Sequence, residues 1–209
     1  MSTAHQSNDF DERKRALRRE LRARLRALSA AELKSAGRAA AEALAAWLSA
    51  NAPAGPVALF AARPFEIDTR PLDDALRAVG RVRLLPAIQD DRLQFRALPH
   101  DVAAHELPGD RFGIPTPPPS LPAVPLLAAA VVVVPACAVD AQGRRLGWGK
   151  GYYDRALSPR RPLGDEQGRA RDTVAFVLDC QLVDEVPHDP RDVLIERLCT
   201  PGRGVFLVS

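Results

Sequence analysis

An open, mostly parallel α/β sheet flanked by helices is the fold this sequence predicts, and three observations predict it. Val131 to Val134 are four consecutive β-branched apolar residues, which suits a central strand buried on both faces better than a half-solvated one. Between Val57 and Leu85 the chain reads as strand, loop, helix, strand, the unit from which parallel sheets are built. A stretch carrying Gly147, Gly149 and Gly151 follows the valine run and leads into a short helix, Tyr152 to Leu157. Ligands of such sheets bind at strand ends, where this stretch falls.

The 209 residues suffice for one good core. The expected organisation is a flexible N-terminus, residues 1–12, and one domain, residues 13–209. With 46% hydrophobic and 26% charged residues, the composition is that of a soluble globular protein. No apolar run reaches bilayer-spanning length, and MSTAHQSNDFDERKR has no apolar segment behind its charges. A cytoplasmic protein is expected. Cys137, Cys180 and Cys199 are odd in number and without a Cys-x-x-Cys pair, so neither a disulfide framework nor a zinc site is indicated. A net charge of +3 and a pI near 9.0 favour anionic partners without choosing among them.

In chain order, Leu17, Leu21, Leu25 and Leu28 recur at helical spacing within an Arg-rich segment, predicting an amphipathic helix from Arg13 to Leu28. Its basic faces read as solvated surface, as a nucleic-acid contact, or as one or two cations reaching a nucleotide. Arg13, Arg15, Arg19, Arg22, Arg24 and Arg26 read as solvated or lightly paired. Ser29 with Glu32 forms a capping box for an alanine-rich helix to about Ala50. Val57 to Ala61 reads as a strand, Thr69 as the cap of a helix with Pro71 in its first turn and Gly80 as its stop, and Val82 to Leu85 as the next strand. Leu93 to Ala97 reads as a short strand, and His100 and His105 as surface residues. Pro115 to Pro125 reads as a stiff surface connection, since its prolines offer no N–H to a ladder. Ser158 to Asp172 reads as a mobile loop and Val174 to Leu178 as a strand.

The glycine stretch is where chemistry is written most densely. Glycines let the backbone take positive φ and approach a ligand closely, and the loop amides with the Lys150 ammonium make a phosphate cradle. The spacing is GxGxG, neither GxGxxG nor GxxxxGK[ST]. From the residues alone, a phosphate site and a plain strand-to-helix turn both stand.

The full string RLGWGKGYYDR, preceded by the valine strand, Pro135 and the Asp140–Gly143 turn, closely resembles the signature of the 5-formyltetrahydrofolate cyclo-ligase (5,10-methenyltetrahydrofolate synthetase) family. KRALR, Lys14 to Arg18, resembles that family's N-terminal Lys-x-x-x-Arg element at ATP. FEIDT resembles its Glu-Val-Asp-Thr element, whose glutamate contacts the folate. FGIPTP, Phe112 to Pro117, resembles its Phe-Gly-Ile-Pro-Glu-Pro element, with Thr116 in place of an acidic or amide residue. In the tail, VPHDPRDVLIERLCTP aligns so that the metal-associated aspartate falls on Asp192, with Arg191 in place of a histidine and Glu196 in place of a second aspartate.

The resemblance runs with gaps from Lys14 to Thr200 and implies a three-layer architecture similar to ribose-5-phosphate isomerase and CoA-transferases. It implies MgATP-dependent cyclisation of 5-formyltetrahydrofolate, with or without a polyglutamate tail, through a phosphorylated formyl group. The implied ATP contacts are Lys14, Arg18, Arg145 and Leu146 to Tyr153, that is Leu146, Gly147, Trp148, Gly149, Lys150, Gly151, Tyr152 and Tyr153. The implied folate contacts are Phe60, Glu66, Trp148, Gly149, Lys150, Gly151 and Tyr152, with Lys150, Tyr152 and Glu66 catalytic and Asp154 and Asp192 on Mg2+. Beside these roles stand plainer ones: Phe60 and one of the two tyrosines as core, Glu66 as a solvated carboxylate, Asp154 as a local ion pair. A monomer with no nucleic-acid or membrane partner is expected; a non-catalytic binder and a basic nucleic-acid module are the alternatives.

Overall fold

The computed structural model describes residues 3–52, 54–158, 172–189 and 192–208; within the first helix, side chains are described from Phe10 onward. A seven-stranded sheet forms the middle layer. In chain order the strands are β1 (Val57–Ala58), β2 (Arg83–Gln89), β3 (Arg92–Ala97), β4 (Val131–Val134), β5 (Ala138–Val139), β6 (Arg145–Leu146), β7 (Asp172–Phe176), β8 (Arg197–Thr200) and β9 (Gly204–Leu207). The sheet runs β3-β2-β1-β4-β7-β8-β9, and β5 and β6 form a separate hairpin. The β2-β1-β4-β7-β8 core is parallel. Both edges are antiparallel, β3 on β2 and β9 on β8.

The valine run is the central strand, as its sequence predicts. Val131 and Val133 belong to a core shared with Leu25, Leu44 and Leu72, while Val132 and Val134 belong to one shared with Leu157, Val193 and Ile195. Alternate side chains of a strand point to opposite faces, so both faces of this one are dry. Each buried valine contributes roughly 1.5–3 kcal/mol over an exposed one.

Helix α1 (Thr3–Arg26) begins well ahead of Arg13 and buries Leu21 and Leu25. Helix α2 (Ala30–Asn51) opens with the expected capping box: Glu32 N–H donates to Ser29 Oγ at 3.2 Å, and Ser29 N–H to Glu32 Oε2 at 2.7 Å. Helix α3 (Arg70–Ala78) departs from expectation at its start. Thr69 makes no side-chain cap bond; instead Asp68 Oδ1 accepts from the Arg70 N–H at 3.0 Å. Arg83, itself buried, ties α3 to β2 through Asp73 at 2.8 Å.

The β2–β3 hairpin turns at Asp90 and Asp91, both with positive φ, the conformation that two-residue hairpin loops favour. The proline segment does more than cross the surface. Val124 N–H donates to Phe95 O at 2.8 Å and Ala97 N–H to Pro122 O at 3.0 Å, and Arg96 donates to the carbonyls of Pro119 and Leu121. Carbonyls need no N–H of their own, so prolines cover this sheet edge after all.

Between β5 and β6 lies the Asp140 turn. Gly143 has φ +77°, and a Cβ there would sit 2.2 Å from the Ile195 carbonyl oxygen, so only glycine fits. Helix α4 (Tyr152–Leu157) follows the glycine loop. The expected loop Ser158–Asp172 falls on residues 159–171, and Arg191 on 190–191; both lie outside the described residues, as do residues 1 and 2. No helix among the described residues is long and apolar enough to cross a membrane.

Candidate active site

The segments that leave the C-terminal ends of the neighbouring strands β1 and β4 open a cleft of ≈970 Å³. That is the size of a small-molecule site. Arg63 to Glu66 form one side and the glycine loop with the start of α4 another. The β2–β3 hairpin contributes Pro86, Ile88 and Leu93, and residues 110–116 close the rim.

The glycine loop has the backbone its sequence predicts. Gly149 and Gly151 take φ values of +102° and +65°, where a side chain would be strained. Gly147, Trp148, Lys150, Gly151, Tyr152, Tyr153 and Asp154 line the cleft. Arg18 reaches the loop from α1, its Nε donating to Gly147 O at 2.9 Å, and its guanidinium carbon lies 3.7 Å from where a Gly149 Cβ would stand. Leu146 is different. It is 1% exposed and packs in an apolar cluster with Leu21, Cys137 and Val186, so its side chain faces the core and not the cleft. Since α4 spans six residues, a phosphate here would rest on loop amides and cations more than on a helix dipole.

Arg145 is buried beneath the loop. It donates to Pro135 O at 3.2 Å and to the carboxylate of Asp154, while its Nε has no partner. Asp154 therefore pairs with Arg145 and not with the neighbours of Arg155. Arg155 itself lies 5.2 Å over the Tyr152 ring and donates to Lys150 O and Asp91 O. This fastens the start of α4 to the hairpin tip.

Lys14 and Asp192 meet each other outside the cleft lining, with Nζ 2.9 Å from Oδ2. Asp192 Oδ2 also accepts from the Asp189 N–H at 2.9 Å. The two carboxylates expected to share a metal are thus held by different cations, and no group of three candidate metal ligands occurs among the described residues. Magnesium delivered with a nucleotide needs only one or two protein carboxylates beside phosphates and water. Asp154, the one of the pair that lines the cleft, fits that requirement. Glu196 is a structural residue: it accepts from both the N–H and the hydroxyl of Thr173. Thr116 lines the cleft with its hydroxyl donated to Ile114 O at 3.0 Å.

The inner end of the cleft centres on Glu66, only 6% exposed. Its carboxylate accepts from the Arg63 N–H at 2.8 Å. Burial raises its pKa, opposed by that bond, by the Arg63 guanidinium and by the Trp148 indole N–H that faces it. Among the described residues the indole N–H, though close to Glu66, meets no acceptor in hydrogen-bond geometry, and the buried Tyr153 hydroxyl also meets none. Burial, with the Glu66 carboxyl nearby, pushes the Tyr153 pKa up as well. Buried donors without acceptors are costly; two of them beside one carboxyl mark a place for a polar ligand. Phe60 lines this end and belongs to the core as well.

Three side chains of this end escaped the sequence reading. Arg22 and Arg63 lie 5.7 and 5.9 Å from the Trp148 ring centroid, and Phe65 packs edge-on against the same ring at 5.1 Å. Arg22 was expected among the solvated arginines; it lines the cleft. The signal was available, because Lys14, Arg18 and Arg22 continue one row at intervals of four.

The 5-formyltetrahydrofolate cyclo-ligase family model matches residues 10–201. A 5-formyltetrahydrofolate cyclo-ligase of Mycolicibacterium smegmatis is 36% identical over 174 residues, 79% of this chain and 84% of that protein. The Escherichia coli K12 protein of the same name is 30% identical over 148 residues, covering 70% and 78%. Among solved structures, the 5,10-methenyltetrahydrofolate synthetase of Aquifex aeolicus superposes with a TM-score of 0.72 at 26% identity, over 93% of this chain and 92% of that one. The Mycoplasma pneumoniae synthetase superposes at 0.70 with 20% identity, over 90% and 98%, a likeness of fold. With residues 10–201 matching the family model and a relative of that name 36% identical, the chain belongs to the 5-formyltetrahydrofolate cyclo-ligase family.

Proposed function

We propose that this enzyme closes the ring of 5-formyltetrahydrofolate to 5,10-methenyltetrahydrofolate at the expense of ATP, within the cleft between Glu66 and the glycine loop. The family's reaction consumes ATP. The formyl oxygen attacks the γ-phosphorus while the bond to the bridging oxygen of ADP breaks. Nitrogen 10 then adds to the activated carbon and loses its proton, and the carbon–oxygen bond breaks to release phosphate. The protein must neutralise the transferring phosphoryl group and hold the two nitrogens in line.

The observation that carries the reading is the juxtaposition of a buried carboxyl flanked by orphan donors with a cationic glycine loop in one cleft. Glu66 would hold the N–H groups of the pterin, Trp148 and Phe60 would wall it, and Tyr152 would close over it. Lys150, Arg18 and the amides of Gly147 to Gly151 would take phosphate oxygens, with Tyr153 between the two ligands. Arg145 keeps Asp154 oriented. Magnesium would lie on Asp154 and the phosphates, where it neutralises charge on the transferring group. Lys14 and Asp192 would join by exchanging each other for ligand charge. A cytoplasmic monomer acting on mono- or polyglutamylated substrate completes the reading.

The test is incubation of the purified protein with 5-formyltetrahydrofolate and MgATP, following the near-ultraviolet absorbance of the methenyl product. ATP-dependent product is expected. Folded protein that binds both ligands and forms none would be a non-catalytic binder.

A further inference from the structure

Glu66 reads donors, and something beside it must read the rest of the edge. A carboxylate takes two adjacent N–H groups of a heterocycle side by side, as an arginine takes a carboxylate. On the reduced pterin of the proposed substrate those are the ring N3–H and the 2-amino group. Next to N3, on the other side, stands the 4-oxo oxygen, an acceptor. A ligand edge of this kind therefore asks for a cation or donor immediately beside the carboxylate.

Arg63 stands there. Its backbone N–H already holds Glu66 at 2.8 Å, and the Glu66 N–H returns a bond to Arg63 O at 2.9 Å, so the two residues are locked in one tight turn. The Arg63 guanidinium is close enough to lower the Glu66 pKa, lines the cleft, and lies over the Trp148 ring. It forms no side-chain hydrogen bond or ion pair with any described residue. Arginine's five N–H donors serve planar acceptors well, and stacking on an aromatic face pre-orients the fork. Trp148 is itself steadied by Arg22 and Phe65, which gives the guanidinium a firm backing. Of the other donors nearby, the Trp148 N–H that faces Glu66 and the fully buried Tyr153 hydroxyl are neutral, and Arg22, the second guanidinium on the Trp148 ring, is not among the groups that act on the Glu66 carboxyl.

We infer that Arg63 is a specificity-determining residue, whose guanidinium receives the 4-oxo oxygen of the heterocycle while Glu66 receives the adjacent N–H groups. The pair reads a donor, donor, acceptor edge, and selects an oxo ring over its 4-amino counterpart, which would turn N–H groups toward a guanidinium. The inference rests on the folate reading of the cleft.

The test measures binding by calorimetry, without ATP, of 5-formyltetrahydrofolate and of its 4-amino-4-deoxy analogue to wild-type protein, Arg63→Gln and Arg63→Ala. Losing a charge-assisted hydrogen bond should weaken the oxo ligand about tenfold. The amino analogue should hold or gain affinity, so the ratio of the two dissociation constants shifts by about tenfold in both variants. In turnover, the KM for the folate should rise while that for ATP stays within about twofold. Equal weakening of both ligands, or no change in either, would overturn the inference; Arg63→Gln, which removes the charge and the guanidinium fork but keeps a polar side chain, answers if Arg63→Ala does not fold. Failure of the underlying reading is distinct: wild-type protein would then give no ATP-dependent product at all.

Discussion

Asp140 and Glu66 are two loop carboxylates, one in the turn of the β5–β6 hairpin and one in the cleft, both withdrawn from water, and they are treated in opposite ways. Asp140, 0% exposed, accepts from the N–H groups of Gln142, Arg144 and Val186 and from Arg144 Nε at 2.6 Å. Glu66 accepts one backbone N–H and is left facing an indole N–H and near a hydroxyl that find no acceptor among the described residues. Burial is alike in the two; hydrogen-bond satisfaction is not. A saturated carboxylate builds the hairpin beneath the glycine loop, and an unsaturated one waits for a ligand.

The contrast can be broken by substitution, and the largest effect belongs to the structural partner. Asp140→Ala strands Arg144 and three amide donors. It should cost about 3–5 kcal/mol of stability, seen as a lowered denaturant midpoint. Glu66→Gln should do the reverse, keeping the fold while lowering turnover of the folate by at least about a hundredfold; near-wild-type rates would remove Glu66 from the chemistry. Lys150→Ala tests the proposed phosphate side and should slow turnover by more than about tenfold, roughly 1.4 kcal/mol, with thermal midpoint unchanged.

The smallest effect sharpens the comparison through pH. Glu66 has a folded pKa raised above its ordinary 4.5, so in the window above that value the native state binds more protons than the unfolded one. Stability contributed by the protonated carboxyl is then present at low pH and lost as pH rises through the folded pKa. Unfolding free energies of wild type and Glu66→Gln should therefore diverge as pH climbs from about 4.5, with the glutamine variant the more stable at the upper end. Parallel curves would mean that folding leaves the Glu66 carboxyl unshifted from its value in the unfolded chain.

What could be read in the chain and what could not follows from where the information lies. The capping box at Ser29, the doubly buried valine strand and the glycine loop are local patterns, and each is present in the structure. The antiparallel edges β3 and β9 and the β5–β6 hairpin depend on which strand lies next to which. Short segments of three to six residues do not announce their neighbours. The helix cap moved from Thr69 to Asp68 because either side chain can serve an exposed N–H there. At the site, residues that act through their own type and spacing were legible. Arg63 and Phe65 matter because Trp148 folds against them, and Leu146 belongs to the core because Leu21 of α1 covers it. Those are tertiary facts, invisible in a string of ten letters.

The docking of α1 has a last consequence. Two of its inward cations are held by polar partners within the protein itself, Lys14 by Asp192 and Arg18 by the Gly147 carbonyl. Any anion that recruits them in the cleft does so in competition with the bonds that moor the helix to the loop and to the tail. Helix attachment and anion binding are thereby two readings of a single equilibrium, linked reciprocally. On the proposed reading, the first helix of the chain, far in sequence from the loop it touches, would share in the nucleotide's binding equilibrium and not merely wall it.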